Sequence, residues 1–164
     1  MTRDADLIGG VEETPTIRGL SFSEYLERVR TFHEYAAPGV VIGGFMVDLA
    51  YRHLPPEGVF GALCETPKCL PDAIQLLSPC TTGNGRLTVV NQGRYAVVFY
   101  DRSSGEGVRV GIDPVRLEKW TEIKDWFFKL KPKERHDVKL LMDQIEEAGA
   151  RICKVQHVKF AGEL

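Results

Sequence analysis

Apolar positions recur at helical spacing in the first third of the chain, alternate in the middle, and return to helical spacing toward the end. Phe22, Tyr25, Leu26, Val29 and Phe32 fall on one face of a helix over about residues 22–35. Ser21 and Ser23 offer caps, and Glu24, three residues after Ser21, completes a capping-box pattern. Pro38-Gly39 interrupts that helix. A second helix, apolar on nearly every face, follows from about residue 39 to 53 and stops at Pro55-Pro56. Val59 to Glu65 suits a strand, and Pro71 opens a short helix that runs through Leu77 toward Pro79.

After Gly83-Asn84-Gly85 the period becomes two. Leu87–Val89 and Tyr95-Val97-Phe99 read as strands joined by an Asn91-Gln92-Gly93 hairpin turn. Ser103–Gly107 turns the chain into a third strand carrying Val108, Val110 and Ile112, which makes an antiparallel meander. Helices are expected over about residues 114–129 and 133–148, broken at Lys131-Pro132 and ended at Gly149. In the last of these Val138, Leu141, Met142 and Ile145 share a face, and Ile152, Val155 and Val158 suggest a closing strand. The pattern predicts an α+β fold, an antiparallel sheet with helices packed at its ends and faces. Residues 1–20, polar and without a period, read as an arm, and residues 21–164 as one core domain. An all-round apolar second helix with Gly43-Gly44, beside an arm with nothing of its own to bury, predicts an intertwined homodimer.

Composition narrows the function classes. The chain has 164 residues and a formal charge of -2, which offers no general pull toward nucleic acid or anionic membrane. The longest apolar stretch, Val40–Ala50, is broken by Gly43, Gly44 and Asp48, so no membrane partner is expected. Asp4, Asp6, Glu12 and Glu13 replace the basic-then-apolar pattern of a leader, which predicts a cytoplasmic location. Cys64, Cys69, Cys80 and Cys153 are then thiols or metal ligands rather than disulfides.

Three of those thiols, with Gly, Pro and Thr turns between them, lie in the segment from Cys64 to Gly85. Cys69 falls at a helix N-terminus, where exposed amides favour thiolate. Cys80 lies beyond the other end. Eleven helical residues would separate the two by about 16 Å, so the helix must be short or the chain must fold back. A buried apolar role is the alternative for both, and the expected role for Cys153. His33 sits at a helix C-terminus, where it either caps the helix or, with two thiolates, makes a three-ligand site with one open position. His53, His136 and His157 read as surface or core residues, and Gly83-Asn84-Gly85 as a tight turn. Lys129, Lys131, Lys133 and Arg135 form a basic run interrupted by Glu134, with Trp126, Phe127 and Phe128 assigned to core, so no nucleic-acid partner is expected.

Phe32-His33-Glu34-Tyr35-Ala36-Ala37-Pro38-Gly39, Cys69-Leu70-Pro71-Asp72-Ala73-Ile74-Gln75 and Cys80-Thr81-Thr82-Gly83-Asn84-Gly85 together resemble the family named after the E subunit of formylmethanofuran dehydrogenase. The similarity continues through Gly93–Ala96 and Gly105–Val110. It implies an α+β core, an intertwined dimer, a role in anaerobic metabolism, and zinc or another transition metal held by His33, Cys69 and Cys80. Asp72, Gln75 and Asn84 would line the same pocket. Tyr35 stands where the family has a second histidine, and Cys153 stands alone where longer members carry paired CxxC motifs, so a zinc finger is not expected. The implied function is a cytoplasmic metal-binding protein whose site is open to a small-molecule ligand, with Asp72 or Tyr35 as acid/base candidates. The alternatives are a dimeric accessory module docking onto a redox enzyme of a molybdenum or tungsten system, and metal-free thiol chemistry between Cys69 and Cys80.

Overall fold

The structure, a computed structural model, describes residues 16–160; residues 1–15 of the expected arm lie outside the described residues, as do 161–164. At the start of the described chain Ile17 is buried, and the Arg18 amide donates to Asp48 at 2.8 Å. The segment before the first helix is therefore fastened to the core.

Helix α1 (Phe22–His33) starts at Ser21 with both halves of the capping box made, and buries Tyr25 and Val29. Glu34, at φ 83, turns the chain sharply into α2 (Pro38–His53). Residues Gly39 to Val47 of α2 are all buried, against α1, the helix after β1, strand β4 and the last helix. Gly44 lets the Tyr25 ring lie directly on the α2 backbone, and the Tyr25 hydroxyl donates to Val40 O at 2.7 Å. One chain thus covers the apolar helix, which removes the physical reason for exchanging it between two.

Strand β1 (Phe60–Cys64) leads through α3 (Leu70–Leu77) to the short β2 (Leu87–Val89). Then come β3 (Ala96–Asp101) and β4 (Glu106–Ile112), and the closing strand is β5 (Cys153–Lys159). The sheet order is β2-β1-β3-β4-β5. The expected β2–β3 hairpin does not form. β1 lies between them, parallel to β2 with Ala62 opposite Leu87, and antiparallel to β3 with Ala62 opposite Phe99. The reason is the backbone of Val90 and Gln92, whose amides donate at 2.9 Å to Cys64 O and Glu65 O. Those bonds carry the chain across the end of β1 instead of back along β2. The β3–β4 hairpin and the closing strand form as the alternation predicts.

Between β4 and β5 the chain makes one long excursion. A 3-10 turn (Pro114–Lys119) precedes α4 (Thr121–Phe127), so the single helix expected there is split at Trp120. A second 3-10 turn (Lys133–Arg135) leads to α5 (Val138–Ala148), which Asp137 caps and Gly149 ends. Leu141 and Ile145 of α5 are buried, whereas Val138 in its first turn is exposed. The excursion leaves and returns at one rung, where Ile112 pairs with Cys153 and the Asp113 amide donates to Ile152 O at 2.9 Å.

Candidate functional site

The reactive residues gather at the N-terminal end of α3. His33, the last residue of α1, reaches across so that its Nδ1 lies 2.6 Å from Asp72 Oδ2 in the first turn of α3. In that pair the imidazole N–H donates to the carboxylate, which leaves Nε2 free to accept or to bind a metal. The Tyr35 ring stands 5.6 Å from the His33 ring and is largely exposed.

Cys69 begins α3 in a left-handed conformation (φ 61, ψ -52), which turns its side chain toward the start of α2. Gly39 makes room there: a Cβ at that position would lie 2.8 Å from both Cys69 Cβ and Tyr95 Oη, and 2.9 Å from Cys69 Sγ. The Tyr95 hydroxyl donates to Gly39 O at 2.6 Å and fixes the same corner. The expected lowering of the Cys69 pKa is not found. Burial pushes the thiol up, the negative charge of Asp72 adds to that, and Lys68 opposes it only in part. Desolvation outweighs the few exposed amides of a short helix.

Cys80 lies at the other end of α3. It is fully buried, and its Sγ donates to Phe60 O at 3.2 Å at the start of β1. Cys69 instead sits beside Tyr95, just before β3 and next to the Cys64 end of β1. Eight residues of α3 separate the two cysteines, a rise of about 12 Å, more than one ion or one disulfide bridges. The structure therefore does not bring Cys80 to His33 and Cys69. Among the described residues no three His, Cys, Asp or Glu side chains converge closely enough to hold an ion.

Gln75 and Asn84 stay with Cys80. Gln75 Oε1 accepts from the Thr82 amide at 3.1 Å. Asn84 Oδ1 accepts from the amides of Thr81 and Arg86 at 3.1 and 3.0 Å, and its Nδ2 donates to Pro79 O at 2.6 Å. Both amide side chains shape the turn that follows α3.

Beside Cys69 opens a cleft of about 700 Å³ that sequence reading did not assemble. One wall is the Thr66–Cys69 loop, a second is Asn91 to Tyr95, and a third is the excursion from Trp126 to His136. Lys68, Arg94, Lys129, Lys131 and Lys133 line it, and among the described residues no carboxylate does. Tyr95 meets Phe127 edge-on at 6.0 Å, and Trp126 leans on Phe127 at 6.3 Å. Behind the Arg94 wall, buried Glu65 accepts from Arg109 at 2.8 Å through both oxygens and from Arg94 at 2.9 Å. The Arg109 bonds above all hold the Glu65 carboxyl below its usual range. The signal the sequence offers for it is the basic run interrupted by Glu134, next to Trp126 and Phe127, which pattern alone assigns to core.

The sequence pattern of the FmdE family, described as molybdenum formylmethanofuran dehydrogenase operon, matches residues 32–161. The chain is 48% identical to a tungsten formylmethanofuran dehydrogenase FmdE-like protein from Syntrophus aciditrophicus, whose crystal structure superposes with a TM-score of 0.84 over 91% of this chain and 78% of that one. It is 28% identical over 151 residues to a probable S-adenosyl-L-methionine-binding protein of Archaeoglobus fulgidus. That match takes in 84% of this chain and 41% of the relative, so the chain spans about two fifths of its length.

Proposed function

The chain belongs to the FmdE family, and from that premise we propose that it is a metal-carrying module whose site meets a small ligand in the neighbouring cleft. The observation that carries this is the 2.6 Å pair of His33 Nδ1 with Asp72 beside Cys69. A carboxylate on one ring nitrogen is the usual partner of a metal-binding histidine, since it fixes the tautomer and aims the other nitrogen. Imidazole and thiolate suit zinc or another transition metal over magnesium or calcium. The fit is one of kind, with His33 and Cys69 as donors and Asp72 positioning His33; the remaining positions fall to water, ligand or a second chain. When bound, such an ion would supply Lewis acidity at the mouth of the cleft. Cys80 and Asn84 hold the far end of α3 in this reading, and Tyr35 borders His33.

The relative is described as a probable S-adenosyl-L-methionine-binding protein, which makes an adenine-bearing compound one class for the small molecule. A second reading, a homodimeric accessory module for a molybdenum or tungsten enzyme, is favoured by the operon in the family's description and by Phe32 and Tyr35, both exposed beside His33. Metal-free exchange between Cys69 and Cys80 is disfavoured by their separation.

Elemental analysis of protein purified without chelator tests the first reading. About one metal per chain is expected at such a site, lost in His33→Ala and Cys69→Ser and kept in Cys80→Ser. Full occupancy in a His33→Ala/Cys69→Ser double variant overturns it. Light scattering tests the second reading: a folded monomer at micromolar concentration removes the dimer.

A further inference from the structure

We infer that the cleft beside Cys69 is a binding site for a phosphorylated ring compound of the nucleotide class. The first observation is charge. The chain as a whole carries -2, yet among the described residues the cleft is lined by five cations and no carboxylate. Lys131 is committed to Glu122 at 2.8 Å. Among the described residues, however, Lys68, Lys129 and Lys133 have no carboxylate within 4.0 Å. Arg94 and Arg109 share the single carboxylate of Glu65, which leaves one positive charge in surplus on that wall. Several cations from three chain segments around one space call for a ligand with more than one negative charge.

Shape and surface supply the second. A volume of about 700 Å³ holds a molecule of nucleotide size rather than a lone ion. Tyr95, Trp126 and Phe127 give it an aromatic wall on which a flat ring packs.

An unpartnered polar group supplies the third. The His136 side chain is 7% exposed and lines the cleft; its buried Nδ1 faces Glu122 Oε1 at 3.9 Å, and among the described residues neither atom has a hydrogen-bond partner. Two buried polar atoms left unmatched at the cleft wall mark a place that a bound water or ion would satisfy. S-adenosyl-L-methionine, a sulfonium cation, suits such walls less well.

The inference goes beyond the metal reading and stands without it, so binding is measured on the Cys69→Ser chain as well as on the natural one. Isothermal titration with ADP, adenosine, inorganic pyrophosphate, S-adenosyl-L-methionine and a short oligothymidylate makes the test, with Trp126 fluorescence in a Trp120→Phe chain reporting the location. ADP is expected to bind both chains at least about tenfold tighter than adenosine or pyrophosphate, and to weaken with salt. Lys129→Glu/Lys133→Glu, a reversal of exposed charges that leaves the fold intact by circular dichroism, should weaken ADP at least about tenfold. Adenosine binding as well as ADP overturns the inference. So does S-adenosyl-L-methionine or the oligonucleotide binding where ADP does not, or ADP binding that the double reversal leaves unchanged.

Discussion

The two ends of α3 carry the same kinds of residue and hold them in opposite states. At the Cys80 end the thiol is spent on Phe60 O, Gln75 Oε1 on the Thr82 amide, and Asn84 on three backbone partners. At the Cys69 end His33 keeps one nitrogen free, Cys69 sits on left-handed backbone, and lysines face open space. A cysteine in a turn-rich segment is therefore not a ligand by its type or spacing. What separates the two ends is the unspent hydrogen-bonding capacity at Cys69, which the metal reading proposed above depends on.

The largest expected contrast is in thiol reactivity. In folded protein stripped of metal with a chelator, Cys69, only half-buried, should be alkylated by iodoacetamide far faster than the buried Cys64, Cys80 and Cys153. With exposure of the buried thiols limited by unfolding, the ratio should reach about 1,000-fold or more. Because the Cys69 pKa is raised, its rate should still be climbing above pH 9, the ordinary thiol value. A plateau below pH 8 in mass-spectrometric labelling would show a thiolate stabilised at this end. Cys64 and Cys153, pushed up to about 11 and about 12, should stay protonated throughout.

Next in size is Glu65→Ala. It strips the one carboxylate shared by Arg94 and Arg109 and should lower unfolding free energy by about 3 kcal/mol in urea melts. The folded Glu65 pKa is depressed, so its stabilisation is present above the unfolded carboxyl value and lost as pH falls through the lower folded one. Natural protein should accordingly shed that share of stability below about pH 4, and the variant should not. A smaller loss is expected for Gly39→Ala, about 2 kcal/mol, because the new methyl meets Cys69 and Tyr95. Gly83→Ala in the turn near Cys80, with nothing within 4 Å, should change stability by less than about 0.5 kcal/mol. Equal costs at the two glycines would erase the contrast between the ends. Asn84→Ala should cost about 1 kcal/mol while leaving metal content unchanged, whereas His33→Ala should do the reverse.

Periodicity located the elements well where local pattern decides them. α1 with its capping box, the break at Pro38, the short α3, the β3–β4 hairpin and the closing strand all stand where the residues put them. It failed where pairing is decided at a distance. Nothing local in Leu87–Val89 tells that its partner is β1 rather than β3, because that choice rests on the Val90 and Gln92 amides reaching Cys64 O and Glu65 O. The site was half legible for the same reason. His33 and Cys69 were singled out, but their meeting through Asp72 and the remoteness of Cys80 depend on how long α3 is. The cleft was missed because its walls come from three separated segments, and only the fold sets the 126–136 lysines against Tyr95.

The single rung at Ile112 and Cys153 makes the stretch from 113 to 152 an appendix to the sheet, entered and left at one doorway. Such a stretch is graftable: a tight turn from β4 to β5 would keep every strand pair and leave His33, Asp72 and Cys69 where they stand. Yet Leu117, Ile123, Leu141 and Ile145 belong to the same core as α2, so the graft also roofs that apolar helix. One wall of the proposed binding cleft and the cover of the apolar helix are thereby carried on one contiguous stretch. Exchanging that part for another of matching apolar face is the route by which this scaffold would acquire a different ligand without a new fold.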